Sequence, residues 1–223
     1  MGTTRVSIPS SLPRGPHGLS PDVVAASQRL RILDAMADTV STKGYAATTV
    51  ADVIERAGVS RKTFYEHFGN KEDCFIAAFD HGTELLSAAI LSATGDTDDA
   101  DDRLLIGYQT LCATLAQMPS FARAFAVVAA EAGTKASTRR AHWREASIAR
   151  LRALYSGTAK EGLTLPDELP EHTARAIVGA IDSLITHHIE TAGPESLHRL
   201  VPTIVSIAHT LMHQNIAAPI TED

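Results

Sequence analysis

The chain has 223 residues, 44% of them hydrophobic and 21% charged, with a formal net charge of −6; this is an ordinary globular composition, long enough to bury a core. Two cysteines, Cys74 and Cys112, offer neither a disulfide framework nor a zinc-ligand spacing, and read as buried apolar groups in a reducing compartment. No uninterrupted apolar stretch of about 18 residues and no leader-type apolar core at the N-terminus stand out, so a cytoplasmic protein without a membrane span is expected.

Residues 1–20 combine Pro9, Pro13 and Pro16 with Gly2, Gly15, Gly18 and several serines, and read as a flexible arm. From Pro21 onward the periodicity is helical. Leu30, Leu33, Met36, Ala37 and Val40 recur at spacings of three and four and predict a first helix ending near Gly44. A short second helix is expected from Thr49, a candidate N-cap, to Ala57, and a third from Arg61 to Phe68, capped by Ser60. Gly69-Asn70 interrupts the chain before a long fourth helix, Lys71 to about Ser92. A polar, acidic linker around residues 94–102 follows. Further helices are predicted at Arg103 to Gln117, from Pro119 to near Gly133, Ser137 to Tyr155, Glu171 to Thr191, and Glu195 to Gln214, with Pro166, Pro170 and Gly193-Pro194 as breaks. No alternating strand pattern occurs, so an all-α fold of about nine helices is expected.

The stretch from Thr48 to Phe68 carries the functional signal. It is a helix, a turn at Gly58 followed by apolar Val59, and a second helix with a polar face. Glycine suits the left-handed backbone of a tight helix-to-helix turn. Val59, with Ile54 and Phe64 to pack against, holds the second helix across the first as a unit that fits a major groove. Its first turn presents Ser60, Arg61, Lys62 and Thr63, the end that such motifs direct at base edges. Arg61 suits guanine and Thr63 a thymine methyl. Tyr65 and His67 suit phosphate, and Lys71, opening the fourth helix, places a charge beside free backbone N–H groups. Cations at a helix N-terminus oppose its dipole, and a phosphate is the natural counter-charge. In the arm, Arg5, Arg14 and His17 are candidates for a minor-groove contact. The charge distribution permits this reading: residues 1–80 are neutral, and residues 81–223 carry the whole of the −6.

The segment from about Arg29 to Phe79 resembles the DNA-binding head of the TetR (tetracycline-repressor) family. The features that carry the likeness are Lys43-Gly44-Tyr45, Thr48-Thr49, Ile54 followed by Ala57-Gly58-Val59-Ser60, Thr63-Phe64-Tyr65, His67-Phe68 and Lys71-Glu72. About fifty residues match without a gap, while beyond residue 80 only the helix count and the Pro119 to Arg123 start of helix six look familiar. The resemblance implies that Thr49, Lys62, Tyr65, His67 and Lys71 contact the DNA backbone and that Arg61 and Thr63 read bases. It implies a helix-turn-helix domain over residues 21–70, and an effector-binding and dimerisation domain over residues 71–223 with helix 71–92 as connector. It implies a homodimer on a palindromic double-stranded operator, a small-molecule effector, and repression as the commoner mode.

Two features of the body fit these expectations. Apolar stripes run along the last two helices, with Ile177, Ile181 and Leu184 on one and Leu197, Leu200, Ile204 and Leu211 on the other, and small Ala174, Gly179 and Ala180 allow close approach. They are assigned to a dimer interface, although part of each stripe must serve the chain's own core. Tyr108, Phe121, Phe125 and Trp143, with Met118, are candidates to line a cavity for a small, largely apolar effector; each can equally be core. Two rival readings exist. One is an architectural DNA-binding dimer without an effector, against which a body of some 140 residues is large. The other is a helical-bundle metalloenzyme, for which the chain offers a single Glu-x-x-His spacing, Glu195 to His198. Neither a cofactor nor a metal site is expected, and no enzymatic activity.

Overall fold

The computed structural model describes residues 20–97, 99–126, 133–156 and 169–213. The expected arm with Arg5, Arg14 and His17, the end of helix six and the loop at 162–168 lie outside them. The described secondary structure is helical throughout, in nine α-helices: α1 Pro21–Lys43, α2 Val50–Ala57, α3 Arg61–His67, α4 Lys71–Thr94, α5 Ala100–Gln117, α6 Pro119–Ala126, α7 Thr134–Ser156, α8 Glu171–Ala192 and α9 Val201–His213. This is the all-α architecture expected from the sequence.

Local chemistry sets most of the boundaries. Ser20 caps α1 by accepting from the Val23 N–H at 3.4 Å, with Pro21 at the first helical position. Asn70 caps α4 through the Asp73 N–H at 2.9 Å. Helix α5 begins three residues before the expected Arg103, because Asp99 Oδ1 accepts from the Asp101 and Asp102 N–H groups at 2.9 and 3.1 Å. The last expected helix divides into a 3₁₀ segment, Pro194–Leu200, and α9. Pro202 has no N–H to give the carbonyl four residues back, so the α register cannot run through it and restarts there, with Pro202 in a first turn where that N–H is dispensable.

Helix α1 packs against α2, α4 and α6, α4 runs beside α5, and α7, α8 and α9 close the body. One apolar cluster continues from Phe64 and Val53 at one end to Ile204 and Met212 at the other. Cys74 and Cys112 are buried in it, and burial pushes their thiols up to about 12 and about 11. Helix α4 is apolar enough to cross a membrane by length and composition alone, although Asp80 and Glu84 interrupt it. Its neighbours account for that character, since α1, α5, α6 and α7 all pack on it.

The stripes assigned to dimerisation turn inward. Ile177, Ile181, Leu197 and Ile204 are all at most 4% exposed within a single chain, while Leu184, Leu200 and Leu211 are half-buried. The packing of α8 against α7, α6 and the 3₁₀ segment, and of α9 against α5, covers those four side chains with the chain's own helices. Within the single chain these four are core. The outer faces of these helices present smaller residues: Gly179, Ser183 and His187 on α8, Thr203, Ser206 and Thr210 on α9.

Candidate functional site

The α2–α3 unit is built from local signals that reinforce one another. Thr49 and Asp52 form a reciprocal capping box: the Thr49 hydroxyl accepts from the Asp52 N–H at 3.2 Å, and Asp52 Oδ2 accepts from the Thr49 N–H at 2.9 Å. Asp52 also receives Lys43 Nζ at 2.6 Å, which with the Thr49 bonds holds its carboxyl down at about 2. Gly58 turns the chain in the left-handed region, φ 61° and ψ 40°, and its N–H meets the Glu55 and Ile54 carbonyls. Val59 packs on the core and Phe64 is fully buried. These contacts fix α3 across α2.

Helix α3 then presents a polar face. Ser60, Arg61, Lys62 and Tyr65 are exposed, and Thr63 and His67 half-buried. The first turn of α3 holds no acidic residue, so the charges of Arg61 and Lys62 stand at a helix N-terminus without a local carboxylate; Lys62 is 89% exposed and reaches Glu66 only at 3.8 Å. Arg61 lies over the Tyr65 ring at 5.7 Å, which draws both side chains to one side of the helix. The Ser60 hydroxyl accepts from the Thr63 N–H at 3.0 Å and sits 2.9 Å from the Thr63 hydroxyl, so this pair caps the helix before it meets anything else.

Two of the expected DNA contacts have internal work. The Thr49 hydroxyl is bonded to Asp52 both as donor and as acceptor. Lys71 Nζ donates to the carbonyls of Tyr45 and Thr48 at 2.9 and 2.8 Å and sits 4.2 Å from the centre of the Tyr45 ring. Two of its three donors therefore clamp the start of α4 to the α1–α2 connection. Tyr45 packs in turn against Phe75, with the ring centroids 4.8 Å apart and the planes tilted by 60°. The clamp ties the start of α4 to the segment that leads into α2.

A cavity of about 550 Å³ lies in the body between α4, α5, α6, α7 and α8. Its wall is mainly apolar, with Phe79, Leu86, Ile90, Leu104, Leu111 and Ile185 among the contributors. Of the five expected residues, Tyr108, Phe121 and Trp143 line it. Met118 instead packs against the core cluster, and the Phe125 side chain lies outside the described residues. Burial pushes the Tyr108 hydroxyl upward, so it stays neutral. Phe121 rests against α4 at Gly82, where a side chain would overlap its ring. Sequence reasoning missed the polar part of the wall: Arg103, Arg140, Arg144, Arg150 and Asp182. Asp182 accepts from Arg144 at 2.7 Å and Arg140 at 3.1 Å. A helical pattern heavy in arginine reads as a solvated face, and only the placement of α8 opposite α7 brings these guanidiniums to a cavity.

Helix α7 is also tied to the head end of α4. Lys135 pairs with Glu72 at 3.0 Å and Asp73 at 3.8 Å, and Arg139 with Asp80 at 3.3 Å. Among the described residues no group of three or more His, Cys, Asp or Glu converges as a metal site would require. Glu195, of the Glu-x-x-His spacing, faces Arg123 at 3.2 Å.

Residues 32–78, which hold the capping box, the Gly58 turn and the start of α4, match the family model of the bacterial regulatory proteins of the tetR family. The match covers this segment alone, and over it the chain is similar to that family. A curated relative, the HTH-type transcriptional regulator YdgC of Bacillus subtilis, is 30% identical over 87 residues, 37% of this chain and 45% of that protein; the aligned stretch thus spans less than half of the relative's length. Two solved structures share the fold through the body as well. The fatty acid degradation regulator FadR of Bacillus halodurans has a TM-score of 0.74 at 20% identity, covering 89% of this chain and 100% of that one. FadR of Bacillus subtilis, solved in complex with stearoyl-CoA, has a TM-score of 0.70 at 20% identity, covering 82% and 99%. All three of these proteins are described as regulators.

Proposed function

We propose that the chain is a cytoplasmic, ligand-responsive transcriptional repressor that binds a palindromic operator as a homodimer and leaves it when a small effector enters the body cavity. The observation that carries this reading is the position of α4. One end is clamped to the DNA-reading unit by Lys71, and farther along the same helix forms a wall of a 550 Å³ cavity, a size that suits a small molecule. A dimer lacking an effector gains nothing from such a cavity, which weighs against a purely architectural role. The stearoyl-CoA found in the Bacillus subtilis neighbour supports an apolar portion in the effector.

In this reading residues 21–70 form the DNA-binding domain and residues 71–223 the effector and dimer domain. Arg61 and Thr63 read base edges from the start of α3, with Ser60 holding Thr63 in place. Lys62, Tyr65 and His67 meet phosphates, and Thr49 and Lys71 act chiefly by fixing the helices that present them. The dimer forms through the outer faces of α8 and α9, where Gly179 and Ser183 let a partner helix approach closely beside Leu184, Leu200 and Leu211. Two heads then stand about one helical turn of DNA apart, roughly 34–36 Å. Effector entry shifts α6 and α7 against α4, through the Phe121–Gly82 contact and the Lys135 and Arg139 ion pairs, and favours a head spacing that no longer fits.

The test is sedimentation with in vitro selection of DNA. A dimer that enriches a palindrome, and that Ser183→Arg turns into a weakly binding monomer, is the expected result. A wild-type monomer, or an enriched sequence without two-fold symmetry, overturns the reading.

A further inference from the structure

The arginines of the cavity wall are not equivalent. Arg140 and Arg144 share the Asp182 carboxylate. Arg103 donates its Nε to the Thr97 carbonyl and so secures the α4–α5 turn. Arg150 has no carboxylate within ion-pair distance among the described residues. Its terminal nitrogens meet only hydroxyls, Ser147 at 3.1 Å and Ser87 at 3.4 Å, and its guanidinium lies 4.7 Å from the centre of the Trp143 ring. A guanidinium cannot shed its proton to escape burial. Half-buried beside aliphatic side chains, it carries a charge that burial disfavours and that no carboxylate among the described residues neutralises. Its neighbours hold it in place: the ring lies against its plane, and the Ser87 and Ser147 hydroxyls accept from its edge, the Ser147 proton being itself given to the Trp143 carbonyl at 2.9 Å.

We propose that the effector is an anionic amphiphile, with a carboxylate or phosphate oxygen received by Arg150 and an apolar portion lying against Leu86, Ile90, Leu104 and Leu111. This rests on the reading of the cavity as the effector site and adds the charge of its occupant. The anion would neutralise Arg150 through charge-assisted hydrogen bonds, so it should decide which apolar molecules are accepted. Because Arg150 belongs to α7 and donates to Ser87 of α4, an anion on Arg150 acts where the two helices that the Lys135 and Arg139 ion pairs join come together.

The chain has a single tryptophan, Trp143, and it lies under Arg150, so its fluorescence reports occupancy directly. The full chain is titrated below micellar concentrations with dodecanoate, dodecan-1-ol and dodecanoyl-CoA. Dodecanoate is expected to bind at least about ten-fold tighter than the alcohol. In Arg150→Gln that preference should fall to near unity while the alcohol still binds, which also shows that the variant is folded; Arg103→Gln should keep the preference. The relative affinity of the acyl-CoA tells whether a carboxylate or a phosphate is the natural anion. Equal binding of acid and alcohol by the wild type, a preference that survives in Arg150→Gln, or no binding of any probe overturns the proposal. Operator release, followed separately by anisotropy of labelled DNA, tests the effector reading: dodecanoate bound with the expected charge preference but without effect on DNA would sink that reading and leave the anion site standing.

Discussion

Gly82→Ala isolates the contact between the cavity wall and the connecting helix. Gly82 is a buried residue within α4, and a Cβ built there falls less than 3.0 Å from Cε2, Cδ2 and Cζ of Phe121. Ordinary carbon contacts begin near 3.5 Å, so the ring must retreat by roughly 1.5 Å. Phe121 is 7% exposed, which leaves the cavity it lines as the direction of retreat. Two effects oppose each other. Replacing an interior helical glycine with alanine favours the helix by about 1 kcal/mol. Overpacking a filled interface costs about 1–3 kcal/mol. The net loss is about 0–2 kcal/mol, a Tm decrease of up to roughly 8 °C for a chain of this size. The larger consequence is functional, because a displaced ring occupies cavity volume and alters how α6 sits on α4. Ligand affinity, read by Trp143 fluorescence, should fall, and Gly82→Ala with Phe121→Leu should recover much of it by removing the clash. A single variant that is stabilised by the full helix-propensity gain and binds ligand normally would refute the reasoning, since the ring would then have moved at no cost.

Three other outcomes follow from the head. Arg61→Ala should flatten the base preference of the selected operator at one position by about 1–3 kcal/mol while leaving non-specific affinity almost intact, measured by competition with mismatched duplexes. Lys71→Met should lower stability by about 1–2 kcal/mol, allowing for its half-exposed position, because two carbonyls lose their donor; an unchanged Tm with uniformly weaker DNA binding would show that Lys71 acts only on phosphate. The Asp52 carboxyl lies below its ordinary 3.8, at about 2, so its contribution is present above that ordinary range and is lost as the pH falls from about 4 towards 2. The Tm difference between wild type and Asp52→Asn should therefore be constant near neutrality and shrink on acidification across that window. A difference that grows there would assign the capping role elsewhere.

Most of the head was legible because its signals are short in range. Thr49 with Asp52, Ser60 with Thr63 and the left-handed Gly58 each act within four residues, and their spacing is printed in the chain. Helix α5 and the break before α9 were less so. Asp99 lay in what read as an acidic linker, and Pro202 is a single interruption in an otherwise continuous apolar stripe.

Amino-acid order alone determined the all-α class, the bounds of α1 to α4 and the exposed character of Arg61 and Lys62, because capping, glycine turns and helical periodicity are properties of neighbouring residues. Tertiary structure decided which partner each apolar stripe meets. Ile177 and Ile204 look the same in a sequence whether they face a second subunit or the chain's own core, and helix packing made them core. It likewise decided that Arg150 stands beside a cavity and that Lys71 clamps the head. A cavity is space left over when distant helices meet, and the charges that line it acquire their meaning only from that meeting.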